Sequence, residues 1–143
     1  MIRAVAVAVI LSCATSATAQ GITISEANVP LAPPGARAHA AYLTLSNTGS
    51  ENRSLIGVTA QGYGMAHLHQ STEQSGVAVM STVHQLEIAA GQTVALTPGN
   101  LHIMLMQPAS SQVVGASVPL TLHFANGKDI TTQATITQRD GGS

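Results

Sequence analysis

The chain has 143 residues, five Lys or Arg against six Asp or Glu, and only two Tyr and one Phe as aromatics. That length is one domain's worth and is enough to bury a core. With no basic cluster, and with Tyr42, Tyr63 and Phe124 scattered, neither the electrostatic footprint nor the stacking platform of a nucleic-acid binder is present.

The first element is a leader. MIRAVAVAVILSCATSATAQ combines Arg3, an apolar run from Ala4 to Leu11, and Ala17-Thr18-Ala19, which fits a signal-peptidase site. Residues 1–19 are therefore expected to be a cleaved signal peptide, and residues 20–143 the mature domain, with Gln20 at its N-terminus. The run is too short to span a membrane, and no later segment approaches the roughly 20 apolar residues a span needs. An exported, soluble protein is expected. Removing Arg3 leaves four basic against six acidic residues, a net of about minus two.

Cys13, the only cysteine, lies inside this leader. It reads as a passive residue of the apolar region. The alternative, a lipidated cysteine after Ile10-Leu11-Ser12, is weakened by Leu11, where a lipobox prefers a small residue. Cleavage at Ala19 would leave the domain without a thiol, which removes disulfides, thiolate metal sites and cysteine catalysis together.

From Gly21 onward, short β-segments alternate with turn signals, and no stretch has a helical period. Strands are expected at 22–26, 39–46, 54–59, 65–69, 77–82, 85–88, 93–97, 101–106, 117–124 and 130–137. The breaks fall at Pro33-Pro34-Gly35, Asn47-Thr48-Gly49, Ala89-Ala90-Gly91, Pro98-Gly99-Asn100 and Asn126-Gly127. This is the pattern of an all-β sandwich. Alternation puts Ala41, Leu43 and Leu45 on one core face and Val118, Leu120, Leu122 and Phe124 on another. Pro119 marks a local edge or bulge, and Asn126-Gly127 is the strongest hairpin signal. The tail after Gln138 is expected to fray.

The chemistry sits in His69, Met80, His102 and Met104. Ten residues separate the first pair, twenty-one separate Met80 from His102, and one separates the last pair. Thioether sulfur is soft and neutral and serves mainly copper, above all copper(I), so a mixed imidazole and thioether set points away from zinc. In Leu101-His102-Ile103-Met104-Leu105, strand alternation places the three aliphatic residues on one face and His102 and Met104 on the other. An isolated methionine is more often core filler, and an isolated histidine a surface or hydrogen-bonded residue. The spacing is what favours ligands.

The intervals of these four residues resemble the signature of the PCuAC family. Ala32-Pro33-Pro34-Gly35-Ala36, leading into Ala41-Tyr42-Leu43-Thr44-Leu45-Ser46-Asn47, is similar to that family's N-terminal strands. Gly99-Asn100-Leu101-His102-Ile103-Met104-Leu105 is similar to its ligand strand. The resemblance covers nearly the whole mature chain. It implies a cupredoxin-like Greek-key β-sandwich and a periplasmic, monomeric carrier rather than an enzyme. It further implies one copper(I) bound by His69, Met80, His102 and Met104 and passed to an acceptor such as the CuA centre of cytochrome c oxidase.

His67, two residues before His69, shares its strand face with Met65 next along, and stands as an additional or substitute ligand. Met106 follows Met104 on its face and is expected to line the site or pack at its rim. His39, His84 and His123 match no ligand position. Among rival roles, blue-copper electron transfer needs a cysteine thiolate that the mature chain lacks, and no general acid or base stands out for a copper enzyme. A periplasmic copper buffer for resistance could use identical ligands.

Overall fold

The computed structural model describes residues 17–19 and 21–139, and among them there are eleven strands and no helix. They are β1 (Ala17–Ala19), β2 (Ile22–Pro30), β3 (Ala38–Asn47), β4 (Arg53–Ala60), β5 (Tyr63–Gln74), β6 (Val77–Thr82), β7 (Leu86–Ile88), β8 (Thr93–Ala95), β9 (Leu101–Pro108), β10 (Ser117–Phe124) and β11 (Asp129–Thr137). All ten expected strands are present, and β1 is additional. Cys13, most of the expected leader and all of the tail but Arg139 lie outside the described residues.

Two strictly alternating strands build the core. In β3, His39, Ala41, Leu43, Leu45 and Asn47 point inward, and in β10 so do Val118, Leu120, Leu122 and Phe124. The sheet path runs β6-β5-β9-β3-β2-β11-β10-β4-β7, with β8 also on β3, and closes into a sandwich where β4 packs against β5. Neighbours distant in sequence, β9 between β3 and β5 and β10 beside β4, are Greek-key crossings. One edge of β3 is shared: Ala38–Ala41 pair with β9, and Thr44–Ser46 pair with β8.

Local chemistry explains the departures from a plain ladder. The Pro119 carbonyl accepts from Gln61 N–H at 3.0 Å, while β4 ends at Ala60 opposite Leu120, so the missing proline N–H lies beyond the β4 ladder. The Asn126-Gly127 hairpin closes through Phe124 and Lys128, with Gly127 at φ 78. That is a three-residue loop ending in a left-handed glycine. β2 runs past Glu26, whose φ of 55 marks the bulge that shifts its register on β3. β5 runs five residues past His69 because it forms a hairpin with β6, turned by Ser75 (φ 52) and Gly76 (φ 79). Two successive positive φ values make the primed turn that suits a two-residue hairpin. All six β6 side chains are exposed, and among the described residues β6 pairs only with β5.

Asn47 is a buried polar clamp, 1% exposed. Its Nδ2 donates to the carbonyls of Glu51 (2.7 Å) and Ile88 (2.9 Å), and its Oδ1 accepts from Gly49 N–H (3.1 Å). Asn47→Ala removes all three bonds and strands buried backbone groups at the end of β3. A loss of about 2–4 kcal/mol is expected in denaturant unfolding. A loss below about 0.5 kcal/mol would show that water replaces the amide.

His39 is also buried, on the core face of β3, with its ring nitrogen 2.8 Å from the Tyr63 hydroxyl and the two rings edge to face. Burial holds its pKa below the ordinary imidazole value, against a smaller opposing effect of the Ala36 backbone. The unfolded chain therefore takes up the proton first as pH falls through about 6.5. Stability is whole above that value and is lost as pH drops toward the depressed folded pKa. Melting of the metal-free protein should fall between pH 7.5 and 5, and the slope should flatten in His39→Phe. An unchanged slope would place the proton-linked loss elsewhere.

Candidate metal centre

β9 carries the centre because its two faces differ. Ile103 and Leu105 are fully buried in the core and fix the strand, leaving His102, Met104 and Met106 on the opposite face. β5 repeats the arrangement, with Leu68 and Ala66 toward the core and Met65, His67 and His69 away from it. The antiparallel register sets His69 opposite His102, His67 opposite Met104, and Met65 opposite Met106. Directly opposed residues share a face with Cβ atoms about 5 Å apart. The His69 and His102 ring centroids are 5.9 Å apart, and those of His67 and His69 are 6.3 Å apart and nearly parallel.

Hydrogen bonding prepares the two imidazoles differently. His102, 5% exposed, has Nδ1 3.0 Å from the Asn100 carbonyl. A carbonyl only accepts, so Nδ1 carries the proton and Nε2 keeps its lone pair. Among the described residues His69 Nδ1 is buried without a hydrogen-bond partner, while its Nε2 lies 3.5 Å from the Thr82 hydroxyl. Burial, then the neighbouring His102 and His67, hold the His69 pKa below the ordinary value, which favours the neutral form that can bind a metal. Asn100 and Thr82 were not singled out in the sequence. The turn Pro98-Gly99-Asn100, two residues before His102, was the available signal for the first.

Met80 is placed differently from the other three expected ligands. It sits on β6 opposite Ser71, so it shares the face of His69, but it is 51% exposed. Ser71 lies four residues along β5 from His67, the partner of Met104. In a flat ladder that separates Met80 from Met104 by about 13 Å along the strands and about 10 Å across them. The structure thus brings His69, His102 and Met104 together and leaves Met80 on the projecting hairpin. Among the described residues no group of three or more His, Cys, Asp or Glu could hold a metal, and the further donors beside the two imidazoles on this face are thioethers. His39 faces the core. His84 is exposed, and His123 is paired with Asp129 at 2.9 Å.

Residues 22–136 match the family described as "Putative lipoprotein LpqE-like". "Putative lipoprotein Lxx21020" of Leifsonia xyli subsp. xyli (strain CTCB07) is 33% identical over 110 residues, 76% of this chain and 65% of that protein. A Rickettsia prowazekii (strain Madrid E) protein is 30% identical over 86 residues, 59% of this chain and 48% of that one. The chain thus spans under two-thirds of the length of these curated relatives. Among solved structures, the copper(I) form of DR1885 from Deinococcus radiodurans is 30% identical, with a TM-score of 0.62 over 92% of this chain and 84% of that one. The copper-bound PCuAC domain of PmoF2 has a TM-score of 0.73 over 87% and 98% of the two chains, at 18% identity, a likeness of fold. The sandwich is that of a cupredoxin-like PCuAC domain. The chain belongs to the LpqE-like family, a family of the PCuAC type.

Proposed function

We propose that this protein is an exported carrier of one copper(I) ion, bound by His69, Met80, His102 and Met104, and that it is not an enzyme. The observation that carries this reading is the opposed pair His69 and His102, one with a fixed tautomer and the other with a buried, unpartnered ring nitrogen, flanked by Met104 on the same face. A buried nitrogen without a partner ordinarily costs about 1–3 kcal/mol, and coordination through it would relieve that cost. Neutral ligands leave the ion's charge uncompensated, which favours copper(I) and eases release by ligand exchange. Met80 is the mobile-side ligand of this scheme: the ion recruits it by drawing the β5–β6 hairpin over the face, and loses it first on transfer.

The leader 1–19 is cleaved in this reading, the carrier works as a monomer in the periplasm, and its acceptor is a protein such as the oxidase subunit that holds CuA. Thioethers suit that compartment because they do not form disulfides, although they can be oxidised to sulfoxides. Titration of the purified protein against a copper(I) chelator and a zinc chelator tests the site. Copper(I) should be held at about one tightly bound equivalent and far more tightly than zinc. Tighter retention of zinc would sink the reading. A deletion strain separates delivery from storage: a carrier is missed as oxidase activity at limiting copper, a buffer as survival at excess copper.

A further inference from the structure

The ligand face does not end at Met104. Beyond His67 opposite Met104 comes one more rung, Met65 opposite Met106, and it faces the same way. We propose that Met65, His67 and Met106 form a second, outer copper(I) station through which the ion enters and leaves the inner site. This rests on the copper reading of the inner site, and it adds residues that the four-ligand set leaves out.

Three observations carry it. Met65, Met80, Met104 and Met106 are all the methionines between residues 21 and 139, and every one lies on this single face. The buried apolar core contains none of them, so methionine is not acting here as core filler. Exposure then rises along the ladder, from 5% at His102 to 42% at Met65, with His67 exposed between them. Met65 is exposed and Met106 half-buried, so both thioethers can be reached by a soft cation from solvent. On its other side β9 meets small residues: Ala40 pairs with Met104 and Ala38 with Met106, each carrying only a methyl side chain.

The rung is held in register by its own end. Gln107 adopts φ 58, and its side chain lies over Gly64, where a Cβ would meet Gln107 Cβ at 3.0 Å. Glycine at 64 lets the two strands stay paired through Tyr63 and Pro108 with Met65 and Met106 directly opposed. Rungs two residues apart along a strand are about 7 Å apart. Copper(I) can cross that distance by ligand exchange, a bond to Met104 forming as one to Met106 breaks, with no change of oxidation state and no proton transferred to sulfur. Two ions this close repel, so the outer station fills second and more weakly.

The test is an anaerobic titration of the whole purified protein with copper(I) against a chelator, paired with NMR of its 13C-methyl methionines. About two equivalents are expected, the second at least roughly tenfold weaker. The Met104 methyl should move with the first equivalent, and those of Met65 and Met106 with the second. Met65→Leu with Met106→Leu, a volume-conserving change, should remove the second equivalent and leave affinity for the first within about threefold. One equivalent with the Met65 and Met106 methyls unmoved overturns the outer station and leaves the inner site standing. No copper(I) bound at all overturns both. If the double variant does not fold, the methyl titration of the parent protein decides by the same criteria.

Discussion

His102→Ala should lower copper(I) affinity by about a hundredfold or more, the largest single-residue effect on this face. Loss of a supporting contact around a metal ligand already costs about 10- to 100-fold, and here the ligand itself goes. His102 is the best prepared of the donors, because it is nearly sealed from solvent and its Nδ1–H is committed to the Asn100 carbonyl. Neither neighbouring imidazole can replace it: His69 would keep its place and lose its partner, and His67 faces Met104 one rung away. Met104→Leu is the companion variant. It keeps bulk and deletes sulfur, so folding should change by less than about 1.5 kcal/mol while affinity drops by about tenfold or more. Chelator competition measures both losses, and thermal melts of the metal-free proteins control for folding. His102→Ala binding copper(I) within about threefold of the parent would remove His102 from the site. A Met104→Leu protein that binds normally and is destabilised would make Met104 a packing residue.

How much of this could be read from the sequence depends on whether the information is local. Alternation in β3 and β10 is local, so the buried sets from Ala41 to Leu45 and from Val118 to Phe124 were legible. The split of Leu101–Leu105 into an apolar and a donor face was legible for the same reason. Gln70–Gln74 gives no alternation of apolar residues, so the extension of β5 was not legible. It exists because Ser75 and Gly76 turn the chain and β6 supplies the ladder. Register between β5 and β9, thirty-odd residues apart in sequence, is a property of the pairing and cannot be read from either strand alone. That is why His67 could be placed beside His69 but not opposite Met104, and why Met80 could be matched by interval without its offset on the projecting hairpin being visible.

The second large effect is on the pH dependence of binding. Imidazole coordinates a metal only when the coordinating nitrogen is unprotonated, whereas a thioether does not titrate. Each histidine ligand therefore weakens apparent affinity by up to about tenfold per pH unit once the pH is below its pKa. His69 is held below the ordinary imidazole value, first by burial and then by His102 and His67, so it resists protonation longer than a free histidine. Its share of the loss accordingly sets in below about 6.5. Copper(I) affinity should be nearly level from pH 8 to 7 and then fall by at least about a hundredfold between pH 6.5 and 4.5, with a residue of binding left to the methionines. In a protein carrying both His69→Met and His102→Met, the same measurement should be flat within about fivefold over that range, because thioethers now stand where the protons competed. A chelator whose own affinity has been calibrated at each pH keeps the comparison fair. If the double variant reproduced the parent's profile, the proton competition would belong to other groups, and His67, one rung outward and facing Met104, would be the imidazole to replace next.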